Sequence, residues 1–134
     1  DSYKFYDEML KISIDIYKQL GIPTRVLECC SGDLADLKAK SCDLEFWSPA
    51  QKKYAEIGSL TNMEEAQARR LNIKFIDKNG EKKFAHTLNN TAIATSRVMV
   101  AILENYQQKD GSVKVPKVLQ KYMGGMKKIL SKKA

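Results

Sequence analysis

His86-Thr-Leu-Asn-Asn-Thr-Ala-Ile-Ala-Thr-Ser-Arg97, running on into Val-Met-Val-Ala-Ile-Leu-Glu-Asn-Tyr106, is the stretch from which the fold can be read. Its first residues follow a β-patterned segment and its last ones form an apolar helix. Between them lie Asn, Thr, Ala and Ser with a single arginine. Small residues at a helix start let a planar ligand approach the backbone. Arg97, one or two turns in, supplies a planar cation that can stack on a base or pair with phosphate. The same composition also suits a buried helix with a surface arginine, so composition alone leaves both readings open.

Immediately upstream, residues 72–78 and 81–86 alternate apolar and polar side chains around Asn79-Gly80. That dipeptide predicts a hairpin with a type I′ turn, which needs positive φ at both central residues. His86, the only histidine, ends the second strand. No second ligand or nucleophile stands near it in sequence, so it reads as a hydrogen-bonded core histidine, not a catalytic base.

Earlier still, Ser2 is placed to cap a helix over residues 3–20, in which Tyr6, Leu10, Ser13, Tyr17 and Leu20 recur at three- and four-residue spacing. At this periodicity the aromatic-rich opening reads as core and not as a base-stacking surface. Gly21 and Pro23 stop the helix. Residues 24–30 have strand composition, 31–34 a turn, 35–41 a polar loop and 43–47 a second strand ended by Ser48-Pro49. Asp43 and Glu45 share one strand face, where a carboxylate pair can do acid–base chemistry. Nothing nearby suggests a substrate for them, and a solvated or salt-bridged face is expected. Residues 53–59 form a further strand interrupted by Gly58. Thr61-Asn-Met-Glu64 fits a capping box that launches a short helix through Arg70. Arg69 and Arg70 are expected in structural ion pairs, with an anion as the alternative. Residues 110–116 form a link, Pro116 opens a last helix over 117–122, and Gly124-Gly125 end it. There is no internal repeat or domain boundary. The resulting fold class is α+β, an antiparallel sheet flanked by helices.

Composition bounds the function independently. A chain of 134 residues with 43% hydrophobic content holds one domain with a core of its own. The net charge of +7 favours a polyanionic partner such as a nucleotide or nucleic acid. Part of that charge lies in residues 126–134, expected to be a frayed basic tail. Three cysteines, two of them adjacent, make neither a disulfide framework nor a zinc site, and they are expected as buried thiols in a reducing compartment. No secretory segment opens the chain and no apolar run of about 18 residues could cross a bilayer. A cytoplasmic protein without membrane contact is expected.

The stretch from Leu88 to Arg97 closely resembles motif 3 of class II aminoacyl-tRNA synthetases, in the form carried by seryl-tRNA synthetases. Cys30-Ser-Gly-Asp-Leu34, Asp43-Leu-Glu-Phe-Trp47, Gln67-Ala-Arg-Arg70, Ile102-Leu-Glu-Asn-Tyr-Gln107 and Lys121-Tyr-Met-Gly-Gly125 resemble the same family in the same order, so the likeness extends from about Tyr6 to Gly125. It implies a partial class II catalytic fold, with residues 1–125 the C-terminal part of the catalytic domain and 126–134 the basic tail. Motif 1, motif 2 and the tRNA-binding arm of the family are not found in these residues.

The activity that the resemblance implies is activation of serine by ATP to seryl-adenylate, followed by transfer to the serine tRNA. The partners are serine, ATP and that tRNA, in a homodimer when complete, and the cofactors are ATP and Mg2+. By the same resemblance Glu56, Ile57, Ser59 and Arg97 bind ATP, Arg97 being the catalytic arginine. Asn89 and Thr91 face serine, and Glu56 with Ser59 hold magnesium. Side chains three apart on a regular strand point to opposite faces, so that last assignment requires a bulge or strand end at Gly58. Thr91 is equally placed to cap the following helix. Ala92 and Ser96 stand where many bacterial members have glycine. The 134 residues by themselves are expected neither to activate serine nor to dimerise. A synthetase-like paralogue acting as a nucleotide-binding, RNA-binding or regulatory module, and a relative of the amino-acid-to-carrier-protein ligases, are the alternatives.

Overall fold

The computed structural model describes residues 1–130. At its centre lies a four-stranded antiparallel sheet made of β1 (Thr24–Glu28), β2 (Lys40–Ser48), β3 (Lys53–Glu64) and β6 (Thr87–Asn90), in the order β1-β2-β3-β6. Two helices, α1 (Ser2–Leu20) and α3 (Thr95–Tyr106), pack on one face of this sheet. The residues of the other face, here called the outer face, include Arg25, Asp43, Glu45, Glu56 and Ser59. A short helix α2 (Ala66–Leu71) leads to a separate hairpin of β4 (Lys74–Ile76) and β5 (Lys82–Phe84).

The expected stripe on α1 is the one that packs: Tyr6, Ser13, Tyr17 and Leu20 are buried. Tyr17 and Leu20 meet Leu44, Phe46 and Ile57 of the sheet and Val98 and Ala101 of α3 in the main core. Each large apolar side chain buried there contributes about 1.5–3 kcal/mol relative to exposure. Tyr3 and Phe5 lie off the stripe and are exposed. Gly21 ends α1 at φ 67°, a left-handed conformation that glycine adopts without strain. A Cβ there would come within 2.3 Å of the Tyr106 hydroxyl, which donates to the Leu20 carbonyl at 2.6 Å and so locks the ends of α1 and α3 together.

Several local expectations are corrected. Thr61-Asn-Met-Glu64 is not a capping box: β3 continues through Glu64, and α2 begins after Glu65 with no side-chain cap. Backbone pairing to two neighbouring strands outweighs the capping signal here, and the Thr61 hydroxyl bonds Ser41 Oγ across to β2 at 2.9 Å. The β4–β5 turn is not type I′, because of its residues only Gly80 has positive φ. Asp77 closes a wider loop instead, its carboxylate accepting from the N–H groups of Asn79 and Glu81. Ser2 lies inside α1 and is not its cap; its hydroxyl bonds His86 Nδ1 at 2.8 Å and accepts from the Asn62 amide at 3.2 Å. His86 is accordingly hydrogen-bonded but exposed, not a core residue. Of the cysteines only Cys42 is buried, Cys29 is half-buried and Cys30 exposed, and all three are free thiols. Arg69 pairs with Glu65 as expected of a structural arginine.

The basic end is also more ordered than its composition suggests. Lys128–Ile129 forms β8, paired antiparallel with β7 (Val113–Lys114), and Lys128 bonds Asp110 at 2.7 Å. Residues 131–134 of the expected tail lie outside the described residues. The Lys128 ammonium, followed by the Ser112 hydroxyl and N–H, holds the Asp110 carboxyl well below the usual carboxylate range. A carboxyl lowered in the folded state adds stability above its unfolded value of about 4, and that stability is lost as pH falls through the lower folded value. Asp110→Asn is therefore expected to flatten the decline of melting temperature between about pH 5 and about pH 2. Parallel curves for the two proteins would show that the clip contributes nothing.

Candidate functional site

The site is shaped by a bulge in β3. Glu45 lies opposite Glu56 and Leu44 opposite Gly58, so Ile57 has no partner of its own on β2. The extra residue shifts the alternation by one. Packing on the helix side shows the shift directly: Ala55 and Ile57 join the main core before the bulge, while after it Leu60 packs on Tyr6 and Cys42 and Asn62 bonds Ser2. Glu56 and Ser59 consequently share the outer face. Gly58 is not in the left-handed region, and a Cβ on it would meet nothing closer than 3.5 Å, so the bulge does not depend on glycine's conformational freedom. The Ile57 side chain is fully buried among the helices, which leaves only its backbone free to take the nucleotide-contacting part expected of it.

The second element is the turn between β6 and α3. The Thr91 N–H donates to the Ser59 carbonyl at 3.0 Å, and the Ser59 N–H donates to Thr91 Oγ1 at 3.4 Å, which ties this turn to the bulged strand. Thr91 is not the cap of α3: that helix starts at Thr95 after Ala94 and has no side-chain cap. Asn89 pairs with Thr61, so it stands beside the bulged strand, and both Asn89 and Thr91 are exposed. Asn90 points the other way, its amide donating to Ser13 of α1 at 2.8 Å.

Ala92 adopts φ 53°, a left-handed conformation that disfavours any residue with a Cβ. The Asn90 side chain accepts from the Ala92 N–H at 2.9 Å and helps to hold it there. Ala92→Gly removes the steric penalty but adds flexibility to the unfolded chain, and a net gain of zero to about 1 kcal/mol is expected in urea unfolding. A loss above about 1 kcal/mol would mean that the Ala92 methyl makes contacts outweighing the strain.

β6 begins pairing with β3 only at Leu60, which leaves the earlier part of β3 unpaired on that side. Arg97, in the first turn of α3, reaches this edge. Its Nη1 lies 2.8 Å from Glu56 Oε1 and 3.5 Å from the Glu56 carbonyl. The two side chains are 50% and 46% exposed, so the pair is screened by water and contributes at most about 1 kcal/mol to folding. Such a pair exchanges readily for ligand contacts.

Asp43 was not expected in the site, yet it stands opposite Ser59 on the outer face. Burial, and then the neighbouring Glu56 charge, push its carboxyl above the ordinary value. Sequence alternation placed it beside Glu45 but gave no hint of Ser59, because the register depends on the bulge. Glu45 itself is salt-bridged to Arg25 at 2.6 Å, as expected, and Arg25 stacks 4.0 Å above the Tyr54 ring. Among the described residues no three His, Cys, Asp or Glu side chains group into a metal site. Glu56 and Ser59 offer one carboxylate and one hydroxyl on a common face, a donor set that suits magnesium only when phosphate and water complete the shell.

The family profile of the tRNA synthetase class II core domain (G, H, P, S and T) matches residues 1–106. The chain is 50% identical over 123 residues to a serine–tRNA ligase of Campylobacter hominis, covering 92% of this chain and 30% of that protein. It is 53% identical over 125 residues to a serine–tRNA ligase of Picrophilus torridus, covering 92% and 28%. The seryl-tRNA synthetase of Pyrococcus horikoshii complexed with ATP superposes with a TM-score of 0.93 at 46% identity, covering 98% of this chain and 30% of that one. The chain thus spans about 30% of the length of these relatives. Sheet and helices agree with a partial class II catalytic fold, and no described helix is long and apolar enough to cross a membrane. The chain belongs to the class II tRNA synthetase core-domain family, and the relatives it matches there are serine–tRNA ligases.

Proposed function

We propose that these residues form part of a serine–tRNA ligase that activates serine with ATP and passes it to the serine tRNA. The observation that carries this reading is the bulge at Ile57, which turns Glu56 and Ser59 to one face beside the Thr91 turn and Arg97. A serine carboxylate oxygen attacks the α-phosphorus of ATP, the bond to pyrophosphate breaks, and pyrophosphate leaves with its electron pair. A terminal ribose hydroxyl of the tRNA then attacks the seryl carbonyl and releases AMP. Neither step needs a covalent catalyst from the protein, so positioning and charge neutralisation do the work. Arg97 leaves Glu56 to lie against the adenine and reach the terminal phosphate, freeing the Glu56 carboxylate. Glu56 and Ser59 would hold a magnesium ion bound with the nucleotide, which would supply neutralisation of phosphate charge.

The test is serine-dependent exchange of pyrophosphate into ATP, and charging of serine tRNA, by the full-length gene product. Exchange with serine and not with other amino acids is expected, and its absence overturns the reading. Asn89 and Thr91 are the side chains assigned to serine. A pocket built to bond a hydroxyl rejects alanine because its polar groups would be left unpaired. Thr91→Ala is expected to raise the serine KM by about tenfold and to weaken rejection of alanine. Since Thr91 caps no helix, unchanged serine kinetics would remove it from the serine site.

A further inference from the structure

We infer that Tyr17, deep in α1 and remote in sequence from every site residue, is a positioning residue that clamps the β3 bulge to the turn before α3. Its side chain is fully buried. Its hydroxyl proton is shared between the Ile57 carbonyl at 3.3 Å and the Ala92 carbonyl at 3.1 Å. These two carbonyls belong to the two backbone irregularities of the site: Ile57 is the unpaired residue of the bulge, and Ala92 is the left-handed residue of the turn.

Neither irregularity is self-sustaining. Gly58 does not impose the bulge, and Ala92 pays a penalty for its conformation, so each persists only where the surroundings fix it. The rigid α1 supplies that fixing through one hydroxyl set beneath both. Burial also pushes the Tyr17 phenol above its ordinary value, so it remains a donor across the neutral range. If the bulge relaxed, Glu56 and Ser59 would separate to opposite faces. If Ala92 relaxed, Thr91 and Arg97 would swing away from Ser59 and Glu56. The inference rests on the proposed function for its catalytic consequence, while the clamp itself can be measured without activity.

Tyr17→Phe removes only the oxygen and keeps the ring in the core. In the full-length gene product, amide hydrogen exchange is expected to quicken by about tenfold or more at both Ser59 and Thr91–Ala92, on opposite sides of the clamp. The kcat/KM of serine-dependent pyrophosphate exchange should fall by about tenfold well below the melting temperature. Leu20→Val, which trims the same buried helix face without touching the site, serves as the control for lost stability. Loosening at neither or only one of the two segments overturns the clamp. Loosening at both with unchanged kinetics, or a kinetic loss matched by Leu20→Val at equal loss of melting temperature, overturns the positioning role. If the parent protein itself lacks exchange activity, the proposed function fails, and hydrogen exchange still decides the clamp.

Discussion

Arg97→Lys is expected to lower serine-dependent pyrophosphate exchange by at least about tenfold, roughly 1.4 kcal/mol of transition-state stabilisation. Charge is conserved by the change, so the expected loss rests on geometry. The guanidinium is planar and forked. It can lie flat on a base while a second N–H reaches a phosphate oxygen, and an ammonium on a flexible stem offers one point charge. Arg97 lies half-exposed at the unpaired edge of β3 in the first turn of α3, with a half-exposed carboxylate as its only ion-pair partner among the described residues, which is compatible with the contacts proposed for it. Stability should hardly change, because the Glu56 pair is screened and a lysine can replace it. A lysine variant with near-normal exchange would remove Arg97 from the nucleotide site.

Periodic features were legible in the sequence. The α1 stripe follows from spacing that repeats over many residues, and the strands expected at residues 24–30 and 43–47 appear as β1 and within β2. The apolar helix expected to run through Tyr106 appears as α3, whereas Thr87–Asn90, after the segment expected to end at His86, pairs as β6 without a periodic signal. Local signals fared worse wherever tertiary pairing competed with them. Thr61 and Glu64 have the residues of a capping box, but Thr61 is paired with both β2 and β6 and Glu64 with β6. Asn79-Gly80 suggests a two-residue turn, but Asp77 gathers two N–H groups and widens it. The bulge was legible only as a requirement: Glu56 and Ser59 cannot share a face without it, and Gly58 was the evident place for it. The extra residue proves to be Ile57, one position earlier, and glycine is not what permits it. Two features had no sequence signal. Asp43 meets Ser59 only through the shifted register, and the Tyr17 hydroxyl finds its partners 40 and 75 residues away.

Glu56→Gln should cost more than the Arg97 change, on the order of a hundredfold in exchange, or about 2.7 kcal/mol. Two consequences of the substitution oppose each other. Losing the carboxylate releases Arg97 from its 2.8 Å partner, so the arginine no longer has to exchange one contact for another when ATP binds, which favours the nucleotide. The amide also cannot neutralise a divalent cation, and of the two donors assigned to that cation only the uncharged Ser59 hydroxyl remains, with the Asp43 carboxyl opposite it on the outer face. The first effect is small, because a half-exposed pair contributes at most about 1 kcal/mol. The second removes the one carboxylate of the Glu56 and Ser59 pair, for which magnesium has few substitutes. The loss should therefore dominate, and half-maximal exchange should require several-fold more magnesium. Combining Glu56→Gln with Arg97→Lys offers the sharper test. The two side chains touch in the free site and, in the proposed function, would act on the same phosphates, so the double loss should be smaller than the product of the single losses. A Glu56→Gln protein within about threefold of the parent, at unchanged magnesium demand, would show that this carboxylate serves only as the arginine's resting partner.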